Sequence, residues 1–199
     1  MDEEGSVLTI QGERTVAAFE ATLKTLHRLV ELRGKARSGD AAAELEVALL
    51  EGDLDMIAFD ELQKRVEGKK LSAEQTALVG EIEMRGLIGA VRNARQDPDA
   101  ANAAAKKLAE AYAAGRVPAS KGQQETLYFI VFQHALSEAD PDLAQKAFDA
   151  AKALVKERVG ADPGFDTWVK GMQDKIDDVR AQKEGGCGGD EGIEIGEDK

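Results

Sequence analysis

Cysteine, histidine, aromatic side chains and basic charge are all scarce in this chain of 199 residues. Its one cysteine, Cys187, excludes an intramolecular disulfide and any Cys-x-x-Cys redox pair within the sequence. That cysteine lies in EGGCGGDEG, where neighbouring carboxylates disfavour the thiolate, so it reads as an unreactive thiol. The two histidines, His27 and His134, are far apart, and neither belongs to a His-x3-His or Glu-x2-His arrangement. No zinc site follows from them, and no metal is expected. Long apolar runs are missing too: the stretch around Tyr128–Phe132 is far too short to span a bilayer. The first dozen residues are acidic and polar and lack the charged-then-apolar pattern of a signal peptide, so a cytoplasmic location is expected.

Basic residues number 26 against 38 acids, giving a formal net charge of −12. Duplex binding requires a basic face that releases counterions from phosphates. Lys64, Arg65, Lys69 and Lys70 form the only compact basic patch, and it reads as a solvated helix end. Nucleic acid is therefore not an expected partner. The segment from Glu184 to Lys199 holds six acids and one lysine, so the acidity is not confined to it.

What is present is helical periodicity with clear punctuation. Val16, Phe19, Leu23, Leu26 and Val30 step by three and four and predict one apolar helix face. ARSGD breaks the chain, and Asp40 is placed to cap a second helix carrying Leu45, Ala48 and Leu49. EGD separates this from a short segment with Ile57, Phe59, Leu62 and Val66, which GKK ends. Ser72 with Gln75 forms a capping box ahead of a helix bearing Leu78, Ile82, Leu87, Ile88 and Val91. Gly80, Gly86 and Gly89 weaken that helix and imply close packing against a neighbour. Three later helices open on Asp97-Pro98, Asp140-Pro141 and Asp162-Pro163, each a capping carboxylate before a proline whose missing N–H costs nothing there. Ser120 to Gln123 offers a second capping box, and TLYFIVFQ after it reads as a buried helix, since no later strand could pair with it.

An internal repeat is also visible. DPDAANAAAKKLAEAYAAGRV aligns with DPDLAQKAFDAAKALVKERVG at a shift that carries Asp97 onto Asp140 and Ala104 onto Ala147. A period of this size belongs to stacked helix pairs. Ala144, Phe148 and Ala151 in the second copy resemble the Ala-x3-Phe-x2-Ala spacing of the second tetratricopeptide helix. An array of such hairpins is preferred over an irregular bundle.

No catalytic constellation emerges. There is no Gly-x4-Gly-Lys-Ser/Thr loop, and no Gly-x-Gly-x2-Gly follows a strand. Ser38 and Ser120 lack His and Asp partners and serve as turn or cap residues. DLDMIAFDE, from Asp53 to Glu61, has the acids of a calcium loop without its central glycine or alternating ligands. Trp168 and the Tyr128–Phe129–Phe132 cluster are the side chains that could line a peptide groove, although their helical spacing equally suits a core. The candidate partner-groove aromatics are Tyr128, Phe132 and Trp168. No catalytic or cofactor-binding residue is assigned, and no cofactor is expected.

Asp2 to Gly5, the apolar Val7–Ile10, Gly12, and Phe19 with Leu23 resemble the carboxy-terminal edge of a thioredoxin-like domain. In that family an acidic turn leads into the last strand, followed by a glycine and a final amphipathic helix. The resemblance covers residues 1–33. The family's Cys-x-x-Cys and cis-proline loop have no counterpart here, so no redox residue is carried over. LEVALLEGDLDMIAFDELQKRV with LSAEQ resembles the helical extensions that follow thioredoxin-like domains in some bacterial proteins, and thioredoxin–tetratricopeptide co-chaperones combine the same parts.

The expected fold is mainly α: an array or bundle of about seven antiparallel helices. It would carry a thioredoxin-like remnant over residues 1–33 with a short strand, a repeat-like domain over residues 40–183, and a disordered acidic tail over residues 184–199. The expected function is a non-catalytic module binding a protein or peptide, as a scaffold or co-chaperone does. The alternative is a fragment of a thiol–disulfide redox protein whose active site lies upstream of Met1.

Overall fold

The computed structural model describes residues 15–185, and it is mainly α, with eight helices and no strand among those residues. The strand expected at Val7–Ile10, Cys187 and nearly all of the acidic tail lie outside the described residues. The helices are α1 (Val16–Arg37), α2 (Ala41–Asp53), α3 (Phe59–Val66), α4 (Ala73–Arg92), α5 (Pro98–Ala113), α6 (Lys121–Ser137), α7 (Pro141–Val159) and α8 (Gly164–Gly185). None of them is long and apolar enough to cross a membrane. The chain divides into two compact units between Gly86 and Leu87, inside α4.

In the first unit, α1 packs on α2 across the connection at residues 38–40. Asp40 caps α2 as its position predicts, accepting from the N–H groups of Ala42 at 3.0 Å and Ala43 at 3.1 Å. The face of α1 that docks is not the predicted one. Leu29 and Leu32, with Ala36 beside them, meet Ala43 and Val47 of α2, while the Val16–Val30 stripe stays largely exposed. Spacing alone cannot separate the two, because α1 carries apolar residues on both faces.

A second cluster joins α2, α3 and α4 through Ala48, Leu49, Leu62, Val66 and Ile82. EGD does not break the chain as expected but forms the last turn of α2. Gly52 lies in close contact there, since a Cβ would sit 2.8 Å from Leu62 Cδ2 and force that side chain to shift. Arg85 closes the end of α2, donating to Gly52 O at 3.1 Å and Asp53 O at 2.8 Å, where a cation complements the helix dipole. Its other contacts are Asp53 Oδ1 and Asp55 Oδ1, so two acids of the calcium-loop lookalike are held by this arginine.

Glu51 is the one buried charged residue among those described. Arg33 donates to its Oε1 at 2.7 Å and Arg65 to its Oε2 at 2.6 Å, so both oxygens are paired as burial demands. Glu61, with Glu51 behind it, outweighs desolvation and holds the Arg65 guanidinium above its ordinary value. Lys69 in turn reaches Glu44. The basic patch is thus partly consumed by carboxylates of its own unit.

Helix α4 opens on the predicted capping box: Gln75 Oε1 accepts from the Ser72 N–H at 2.9 Å, and Ser72 Oγ accepts from the Gln75 N–H at 3.2 Å. The expected close packing at its glycines is not seen. A Cβ at Gly80 or Gly89 would meet nothing within 4 Å, and at Gly86 only Phe59 Cβ at 4.0 Å.

In the second unit α6 packs against α5, α7 and α8. Residues near the start of α6 pair with residues near the end of α7, Lys121 with Glu157 and Glu125 with Arg158, so these two helices run antiparallel. TLYFIVFQ is helical, and Leu127, Val131, Phe132 and Ala135 are essentially buried. Asp97 and Asp140 cap α5 and α7 identically, each accepting from the N–H three residues on, at 2.9 and 3.0 Å. Ala101, Ala104, Leu108 and Tyr112 of α5 are buried, and so are Ala144, Ala147, Ala151 and Val155, the α7 residues that the repeat alignment sets beneath them. Two caps depart from expectation. Ser120 makes no side-chain capping bond, so the expected box with Gln123 does not form; nearby, Gln124 Nε2 donates to Pro118 O at 2.6 Å. Asp162 caps the Gly164 N–H at 2.7 Å, placing Pro163 just ahead of α8.

Candidate functional site

Helix α6 has two working faces. One, through Leu127, Tyr128, Val131, Phe132 and Ala135, forms the core of its unit. The other, through Thr126, Phe129, Ile130, Gln133, His134 and Ser137, recurs at helical spacing along one side and lines an open groove. Opposite lie Ala101, Asn102 and Ala105 of α5, with Val91 of α4 and Ala94 of the turn after it. The groove has a volume of about 500 Å³.

Its floor and walls are set by the packing beneath them. Phe129 is held edge-to-face against Trp168 of α8, ring centroids 6.0 Å apart, and Trp168 also meets Phe148 at 5.6 Å and Phe165 at 5.6 Å. Such stacking fixes ring orientation as well as burying area. Arg92 Nη2 donates to Thr126 Oγ1 at 3.3 Å, tying the end of α4 to α6 at one end of the groove. Thr126 Oγ1 and Ser137 Oγ are engaged with backbone carbonyls of α6, whereas Asn102 and Gln133 are exposed amides on opposite walls. The small side chains Ala94, Ala101 and Ala105 leave room for another backbone to come close.

The three aromatics chosen from sequence occupy different places. Phe132 is 1% exposed, tilted against Phe148 with centroids 6.0 Å apart. Tyr128 is buried edge-on to Tyr112 at 5.5 Å. Trp168 is half-buried and stands behind the groove as the support of Phe129. The aromatic that lines the groove is Phe129, the middle member of the same cluster. Ile130, Gln133 and the alanines of α5 were missed, although Thr126, Ile130, Gln133 and Ser137 are legible as a mixed stripe on the second face of α6.

Burial pushes the Tyr112 phenol above its ordinary value, helped by Tyr128 and Asp149. Its hydroxyl donates to Lys146 O at 3.0 Å, and Lys146 Nζ lies 5.0 Å from its ring centroid. This is a packing contact between α5 and α7, and the groove does not include it. Among the described residues, no three His, Cys, Asp or Glu side chains come together as a metal site would require. No family model, curated protein or solved structure matches the chain.

Proposed function

We propose that the chain is a non-catalytic helical interaction module whose α5–α6 groove binds a short apolar segment of another protein. The observation that carries this reading is the groove itself: a half-open apolar floor built on Phe129 and Ile130, with unengaged amides at Asn102 and Gln133 on either wall. Apolar pockets give such a site its affinity, and a few convergent polar groups give it orientation. The α6 stripe from Thr126 to Ser137 extends for roughly 16 Å, enough for about five residues of extended peptide. The alanines opposite permit its backbone to approach, and the two amides can bond its peptide groups. The coincident burial of α5 and α7 fits a tetratricopeptide-like hairpin array, which supports the same use. A net charge of −12 disfavours acidic ligands and favours a segment with basic flanks.

Selection of displayed twelve-residue peptides on the whole protein tests this. Apolar sequences with basic flanks are expected, and Ala105→Trp, which fills the groove from an incompletely buried position, should weaken them by tenfold or more. Selected peptides that bind Ala105→Trp as tightly as the parent would remove the groove from consideration.

A further inference from the structure

The α5–α6 hairpin has a second copy in α7–α8. The shift that carries Asp97 onto Asp140 also carries Lys121, the first residue of α6, onto Gly164, the first residue of α8. Helix starts therefore coincide in both members of the pair, and Ala101 and Ala144 are buried alike. Along the groove the copies part. Ala105 stands where α7 carries Phe148, a ring 2% exposed that meets Trp168 of α8 at 5.6 Å. Asn102 and Ile130 stand where Gln145 and Gln173 join α7 to α8, each amide donating to the other, at 3.3 and 2.9 Å. Gln133, an exposed amide, stands where Ile176 of α8 is completely buried. The second hairpin thus closes itself with a ring and a pair of amides. The first has the same two walls, with a methyl in place of the ring and Ile130 in place of the second amide.

We infer that the segment bound in the groove is anchored by an aromatic side chain, which takes over Ala105 the place that Phe148 takes in the second hairpin. This rests on the reading of the groove as a peptide site and adds which residue the peptide must carry. The floor argues for a ring over an aliphatic chain. Phe129 is the end of a run of rings that passes through Trp168 and Phe148 to Phe132. A ligand ring beside Phe129 extends that run, and edge-to-face pairing is worth about two- to tenfold in affinity beyond the area buried. The wall opposite, at Ala101 and Ala105, offers methyl groups on which the face of a ring can lie. Asn102, which lacks the amide counterpart that Gln145 has, is left to pair with a peptide group of the ligand next to the anchor. A volume of about 500 Å³ holds the ring together with the backbone that bears it.

Two probes that differ only in the anchor test this: N-acetylphenylalaninamide and N-acetylleucinamide, titrated into the isotope-labelled full chain and followed by NMR. The phenylalanine probe should shift the side-chain amide signals of Asn102 and Gln133 with a dissociation constant about two- to tenfold below that of the leucine probe. Its ring protons should show nuclear Overhauser contacts to the Ala105 methyl, a readout that needs no substitution. Ala105→Phe supplies the ring from within, as Phe148 does, and should abolish the shifts while keeping a cooperative thermal transition. Equal affinities for the two probes overturn the aromatic anchor and leave the groove as a peptide site. A phenylalanine probe that shifts no groove signal at about 20 mM does the same, since the groove itself stands or falls on the displayed peptides and Ala105→Trp. Undiminished binding of the phenylalanine probe by folded Ala105→Phe also overturns the inference. Absence of ring contacts to Ala105 in the parent overturns it whatever the variant does.

Discussion

Tyr112 shows how a single side chain can carry a measurable signature. Its phenol is pushed up chiefly by burial, so the native state holds that proton more tightly than the unfolded chain does. The contribution to stability is therefore complete below the ordinary tyrosine value, and it is lost as pH rises through the raised native one. The melting temperature of the parent should fall more steeply than that of Tyr112→Phe once the pH rises above the ordinary tyrosine value of about 10. At neutral pH the same variant should lose about 0.5–1.5 kcal/mol with its bond to Lys146 O. Parallel alkaline profiles would refute the assignment. Nothing at Tyr112 in the sequence announces this, because Lys146 and Asp149 reach it only through the packing of α7 on α5. Glu51 is similar: one acid among many in the chain, it becomes a buried two-arginine hub only when α1 and α3 close on α2.

Elements were legible where local chemistry sets them. Asp40, Asp97 and Asp140 cap where their positions predict, and the Ser72–Gln75 box forms with both of its bonds. Glycine inside helices was harder to read, because its meaning depends on what lies opposite. Gly80 and Gly89 of α4 face open space, so Gly80→Ala and Gly89→Ala should each raise stability by about 0.5–1 kcal/mol in urea unfolding. Gly52→Ala gains the same helix propensity but drives a methyl into Leu62, which is completely buried, and should lose about 1 kcal/mol or more. Opposite signs for the two classes are the expected outcome. A stabilising Gly52→Ala would show that Leu62 can move aside. The α1 stripe taught the same lesson about faces: its period was correct, but the docking residues were Leu29 and Leu32.

At the scale of the whole molecule, charge sets what the surface tolerates. Part of the basic patch at Lys64–Lys70 is spent on Glu44, Glu51 and Glu61, and the formal charge remains −12. A labelled 20-base-pair duplex in about 150 mM salt should therefore show no binding up to roughly 100 µM protein. Saturable binding below that concentration would contradict the electrostatic reading. The groove also belongs to this scale, since it needs α4, α5 and α6 together with the support of Trp168 from α8.

The sequence by itself determined the helical class, most helix starts and the matched caps of α5 and α7, because periodicity and N-capping act within a few residues of each other. Only the tertiary structure decided which apolar face of α1 is spent, which helical glycine has a side chain packed against it, and which aromatic of the Tyr128–Phe132 run faces the groove. Those outcomes depend on residues far apart in the chain meeting at contact distance, as Gly52 meets Leu62 and Phe129 meets Trp168.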